Sequence, residues 1–328
     1  NIYMKNKLLS LASLLAVFNA NAIEIGPTGS GIELSGFVDI ATAKQGTDTE
    51  STTAQVELNF GYAMGPVSAA VGLDFGESSV YGNDAENGNL EEAYVTYDFG
   101  NGFSITGGRM LSYMGFEAFD PTNMYQFSYA YDIEGAQDIY DAYDTGASID
   151  YGNDAFSVGV WSSLENEAGY ELALAFTGIE NFTAKAIFSD FSNVSDAVDA
   201  NGNPSAAAYE KATYWISYQL DKLLLAAEVA EKDSQGNGAN GSDVDGFLIM
   251  GNYALSDKVG LTLRYSEFEY KSFDEATLLY EGSKFTISPS YIFSDNLSGL
   301  LEYSSYDKDA GTVAEKEELL AAEVIFTF

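Results

Sequence analysis

The side chains available for chemistry in this 328-residue chain are almost all oxygen donors. There are 50 Asp and Glu, 23 Tyr, only two Arg (Arg109 and Arg264), and no His or Cys. Without His or Cys, the usual Ser-His-Asp triads, thiol nucleophiles, disulfides, iron–sulfur clusters and zinc sites built on those ligands are excluded. Carboxylates can still hold hard cations, relay protons or set a local potential. One spacing suits the first role: Asp199, Asn201, Asn203 and Glu210 occupy positions 1, 3, 5 and 12 of a calcium loop. Pro204 stands where that loop needs Gly, and a strand begins at Glu210, so these are read as turn residues and no metal site is assigned. A second grouping is Gly107-Gly108-Arg109, followed by a long segment from Met110 to Asp141. That segment carries Glu117 and Asp120 among Tyr113, Phe116, Phe119, Tyr125, Phe127, Tyr129 and Tyr131. No Gly-rich phosphate loop or nucleophile elbow occurs, and neither an enzyme activity nor a cofactor is expected.

The formal charge of -36 and a pI near 4.1 oppose nucleic-acid binding, which needs a basic face. Hydrophobic residues nevertheless make up 46%, too many for a disordered acidic chain. The first residues read as an export address. Lys5 and Lys7 precede an apolar run from Leu8 to Phe18 and the small-residue site Ala20-Asn21-Ala22. Residues 1–22 are read as a signal peptide, with residues 1–3 upstream of the initiator Met, and 23–328 as the exported body. No later stretch offers 18 consecutive apolar residues, so the body either is soluble or spans a membrane without helices.

That body alternates with period 2: Val67, Ala69, Val71, Leu73 and Phe75 against Ser68, Ala70, Gly72 and Asp74, and likewise at Leu172/Leu174/Phe176 and Leu261/Leu263/Tyr265. Such segments predict about sixteen strands of roughly 8–11 residues, the length of a tilted membrane-crossing strand. Their starts fall near residues 32, 53, 67, 90, 103, 143, 155, 169, 181, 209, 222, 244, 258, 283, 296 and 318. Connections alternate between compact Gly/Asn/Asp turns, such as Gly100-Asn101-Gly102, and long loops, such as 111–141 and 190–208. This predicts an all-β, transmembrane antiparallel up-and-down barrel with short periplasmic turns and long extracellular loops. Closure removes the open edges that so many strands would otherwise leave. Tyr and Phe at strand ends (Phe60, Tyr62, Tyr97, Phe99, Tyr151, Tyr253, Tyr291, Phe293) fit interfacial girdles. A soluble β-sandwich, as in an adhesin or lectin, would turn the same apolar faces onto a dry core.

The signal segment, the strand number, the alternating connections and the alternation from Ala322 to the terminal Phe328 together resemble a Gram-negative outer-membrane porin across the whole exported chain. Gly107-Gly108-Arg109 and the segment Gly115-Phe116-Glu117-Ala118-Phe119-Asp120-Pro121 carry the local likeness. The resemblance implies a third loop folded into the lumen, a constriction involving Arg109, Glu117, Asp120, Tyr113 and Tyr125, Phe328 as an assembly signal, and a homotrimer in the outer membrane among lipid and lipopolysaccharide. Two features depart from the pattern. Strict alternation from Phe103 and Ile105 turns Arg109 outward unless the Gly pair is bulged, and the opposing basic wall is thin.

Placing the polar phase of each strand inward assigns Glu57, Asp74, Glu92, Asp98, Asp144, Asp150, Glu171, Glu228 and Glu302 to the lumen, together with Glu33, Asp39 and Glu323. Only Lys185 and Arg264 join them as strand cations. A charge in a wet lumen keeps its hydration, whereas Arg or Lys on the lipid face near the midplane costs up to ~2–4 kcal/mol. The expected function is passive diffusion of small hydrophilic solutes and ions, with a preference for cations. The alternative is a channel selective for a sugar or another nutrient, its aromatic third loop forming a binding track instead of packing on the wall.

Overall fold

The computed structural model describes residues 22–76, 89–117, 119–131, 139–164, 169–191, 208–235, 242–272, 278–309 and 314–328. Residues 1–21 of the expected export segment 1–22 and the calcium-loop residues Asp199, Asn201 and Asn203 lie outside the described residues. Period-2 segments become strands throughout. A two-residue β1 (Ile23–Glu24) precedes β2 (Ile32–Gln45), β3 (Ser51–Met64), β4 (Val67–Gly76), β5 (Asn89–Asp98), β6 (Phe103–Leu111), β7 (Tyr143–Gly152), β8 (Phe156–Ser163) and β9 (Tyr170–Phe176). The second half comprises β10 (Phe182–Asp190), β11 (Ala208–Leu220), β12 (Leu223–Gln235), β13 (Ser242–Ala254), β14 (Val259–Ser272), β15 (Leu278–Ser294), β16 (Leu297–Asp309) and β17 (Ala314–Thr327).

Each strand from β2 to β17 pairs antiparallel with its sequence neighbour, and β17 returns to β2 from Leu319↔Gln45 to Thr327↔Phe37. The sheet is therefore a closed ring of sixteen strands, with β1 added beside β2. Beyond Thr327, Phe328 exchanges both backbone hydrogen bonds with Gly36, at 2.9 and 3.0 Å. Among the described residues no helix is long and apolar enough to cross a membrane; one 3-10 turn, Pro121–Asn123, lies between β6 and β7.

The direction of the apolar faces separates a membrane barrel from a dry sandwich. On β6, Phe103 and Ile105 are 45% and 43% exposed on the outside, while Ser104 and Thr106 retain 6% and 7% on the inside. The same split recurs around the ring: Val160, Leu174, Ile216, Ile249 and Leu301 face outward, and Ser148, Thr213, Thr262, Thr286 and Ser304 face inward. This is the inverse of a soluble core and matches a lipid-facing surface around a polar interior. Aromatic rings gather beside the short turns, with Phe103 and Tyr151 at 4.6 Å between centroids and Tyr291 and Phe293 at 4.9 Å. Tight turns rely on backbone that few side chains tolerate: Gly102 has φ +88° and a Cβ there would meet the Gly152 carbonyl at 2.4 Å.

Strand starts agree with the periodicity to within about five residues. The largest differences are β15, which begins at Leu278, and β17, which begins at Ala314. Both extend toward the long-loop end, β17 through the polar run Glu315-Lys316-Glu317 and β15 through Leu278 to Gly282, where the strict apolar alternation is lost but the ladder continues.

Candidate pore constriction and its loop

The third loop, 112–142, joins β6 to β7, and its described residues (112–117, 119–131 and 139–142) dock against the inward wall formed by β7 to β16. The acids on that wall accept hydrogen bonds from the loop. Glu171 on β9 receives the Ser112 hydroxyl at 2.7 Å and the Tyr113 amide at 3.0 Å. Asp150 on β7 receives the Tyr113 hydroxyl at 2.7 Å. Glu228 on β12 takes the Phe116 amide at 2.9 Å and the Tyr140 hydroxyl. Glu302 on β16 takes the Ser128 amide at 3.0 Å and the Ser128 hydroxyl.

The centre of the docking is ionic. Arg264 on β14 and Glu117 in the loop form a fully buried ion pair. Glu117 also accepts from the Gln126 amide at 2.8 Å and the Ala130 backbone at 2.6 Å. Arg264 also donates to the carbonyls of Ser128 at 2.6 Å and Tyr129 at 3.0 Å, and Lys284 on β15 reaches Tyr129 at 2.8 Å. A buried pair survives only when its remaining donors and acceptors are filled in this way.

Inward cations are therefore occupied. Lys211 bonds Asp141 at 2.5 Å, and Lys185 lies over the Trp215 ring at 5.0 Å. Lys211, Lys232 and Lys284 all face inward, where only Lys185 and Arg264 are expected as lumenal strand cations. Lys211 and Lys284 sit near the starts expected for their strands, and Lys232 in what reads as a loop. For Lys211 and Lys284 the signal is the inward phase opposite Tyr214/Ile216 and Phe285/Ile287, and for Lys232 it is the continuation of the period-2 pattern past the apolar residues.

Arg109 requires a correction. The pairing of β6 is unbroken with β5 and with β7, so Arg109 lies opposite Ala93 and Thr145 on the outward series of Phe103 and Ile105. Its Nε donates to the Leu90 carbonyl at 3.1 Å. Gly108 is conformationally special, with φ +139° and the Ala93 carbonyl 2.1 Å from any added Cβ, yet it produces no register shift. The break falls one strand away, where Gly72 pairs with Glu92 and Leu73 with Leu90, leaving Glu91 as the extra residue of a β-bulge. Asp98 follows the inward phase but is exposed and accepts the Gly100 amide at 2.7 Å, at the last position of β5 where the short turn begins.

The opposite wall, β17 and β2 to β5, carries acids that accept no hydrogen bond from the loop backbone among the described residues. One carboxylate oxygen each of Glu323, Asp39, Glu57 and Asp74 is buried without a hydrogen-bond partner. Asp120 reaches this side from the loop. It precedes the 3-10 turn but makes no side-chain cap there. Burial, reinforced by the charge of Asp74 and opposed by a hydrogen bond with Glu57, holds its carboxyl above the ordinary range. Glu92 also faces inward, Asp144 lines a cavity of about 220 Å³ at the loop base with Trp161 and Tyr209, and the Tyr125 ring is 38% exposed.

A closed sixteen-stranded ring with apolar residues outside, polar residues inside and a loop folded against the interior wall defines a porin-type channel of the bacterial outer membrane. The chain belongs to the family described as "Putative beta-barrel porin-2, OmpL-like", whose model matches residues 35–328. No curated protein matches. Similar solved structures include OmpT of Vibrio cholerae in its trimer form, 14% identical over 90% of this chain and 99% of that one, with a TM-score of 0.67. An anion-selective porin from Comamonas acidovorans is 12% identical over the same shares, at 0.66. Salmonella typhi OmpF in complex with daunomycin is 14% identical over 94% of this chain and all of that one, at 0.61.

Proposed function

We propose that this outer-membrane channel passes small hydrophilic solutes by diffusion and prefers cations. The observation that carries the reading is the unequal occupation of the two walls. Cations on the β7–β16 side are engaged by loop groups and aromatic rings, while Asp39, Glu57, Asp74 and Glu323 on the other side keep carboxylate oxygens without hydrogen-bond partners. Water in a bore along that second wall would meet net negative charge, which concentrates cations and repels anions. The fold itself does not decide the sign, since a structure of the same architecture is described as anion-selective.

Planar-bilayer recording tests the proposal. Under a salt gradient the reversal potential should carry the cation sign and grow as ionic strength falls and the Debye length lengthens. A potential of zero or of anion sign would end this reading.

The nutrient-selective alternative has less support. The Tyr113 and Tyr140 hydroxyls are bound to wall acids, and Phe116 packs on Trp215 at 5.5 Å. These rings are committed to docking the loop and not to stacking on a solute. A homotrimer, with lipid and lipopolysaccharide around its apolar belt, is part of the same proposal and is supported by the trimer form of OmpT. Phe328 is proposed as the assembly signal, supported by its position in the closing seam.

A further inference from the structure

The cavity of about 220 Å³ at the base of the third loop lies where β6 ends, β7 and β11 begin and β10 has just ended. Three rings of its lining form a chain: Trp161 and Phe191 have centroids 6.2 Å apart, and Phe191 stacks on Tyr209 at 5.1 Å. The Trp161 indole occupies the space that Gly146 leaves, where an added Cβ would meet it at 2.3 Å. That side chain is 4% exposed, yet its Nε1 has no hydrogen-bond partner. Asp141, Asp144 and Glu171 also line the cavity, and the charges of all three act on the Tyr209 hydroxyl. None of the lining residues is a cation. Beside them stands Lys211, whose Nζ bonds Asp141 and lies 4.5 Å from the Tyr209 ring centre. One ammonium therefore faces three carboxylates.

We propose that this cavity binds a small organic ammonium ion, its cationic head held by carboxylates and rings and a hydroxyl oxygen accepting the Trp161 N–H. Desolvated ring faces and carboxylates attract such a head together, and aromatic cages are a recurring way of recognising quaternary ammonium groups. Lys211 shows the pairing within this chain, as an ammonium held at once by a carboxylate and a ring. A bare metal ion would leave the rings and the indole N–H unused, and an anion would meet three like charges. The space suits a molecule of a few carbon atoms, since a cavity of ~150 Å³ already holds benzene. The inference goes beyond cation preference, which concerns passage through the bore and not retention at one place.

The test is calorimetric titration of the folded full-length barrel in detergent at about 0.15 M NaCl. The probes are choline and its neutral carbon isostere, in which a tert-butyl group replaces the trimethylammonium head. Binding is read without an ion gradient, so its failure is distinct from failure of the cation-preference reading. Choline should bind saturably, and the neutral alcohol at least tenfold more weakly. Asp144→Asn and Phe191→Leu should each weaken choline binding at least tenfold, while Glu267→Gln, on the exposed outer face, leaves it unchanged. Heat-modifiable gel migration checks that every variant is folded, and the two substitutions alter different parts of the lining should one fail. No saturable choline binding, equal binding of the neutral alcohol, tighter binding of glucose, or full affinity in both folded variants would overturn the site.

Discussion

Under the proposed cation preference, Asp120 is the side chain expected to couple acidity to conduction. Its carboxyl is held above the ordinary range chiefly by burial, so lowering the pH neutralises it before exposed loop acids, whose ordinary values lie near ~4. If Asp120 lines the bore as proposed, protonation removes a negative charge there, and the expected sign is a loss of the proposed cation preference. In chelator-buffered solution the permeability ratio should begin to fall above the usual carboxyl range, and Asp120→Asn should flatten that early part of the curve. A ratio that changes only below about pH 4, identically in the variant, would show that Asp120 carries none of the selectivity.

At the level of elements, the third loop is held by carboxylates that a sequence reading treats as open lining. Removing Arg264 leaves Glu117 buried without its charge partner, and breaking one side of such a pair costs about 3–5 kcal/mol. Arg264→Met should therefore release the loop while the barrel ladder stays closed: proteolysis within 112–142 should accelerate, and single-channel current should become noisier. Unaltered cleavage and noise would show that the pair does not hold the loop. The strands themselves were legible, because lipid outside and water inside enforce the alternation at every residue. The inward phase of Glu171 or Glu228 was legible for the same reason. What could not be read was the partner of each acid, since pairing across the lumen depends on where a 31-residue loop lies. The bulge at Glu91 was hidden too: a single inserted residue changes which side chain faces inward without altering composition, and the flanking Gly107-Gly108 pair pointed to the wrong strand.

For the whole molecule, the inside-out arrangement makes a clear energetic demand. Val160 stands at the middle of β8 on the lipid side and is 47% exposed. Val160→Arg should cost about 2–4 kcal/mol if it lies near the bilayer midplane, measured by reversible denaturant unfolding in lipid vesicles. A neutral result would place this surface in water instead of acyl chains.

The seam between β17 and β2 has a further kinetic meaning. It joins segments almost three hundred residues apart in sequence, whereas the other ladders connect neighbours, so it carries the largest loop-closure entropy in the ring. Contacts of such separation are slow to form and are rewarded late. Weakening Phe328 or Gly36 should consequently hasten rupture of the finished cylinder far more than it retards its maturation.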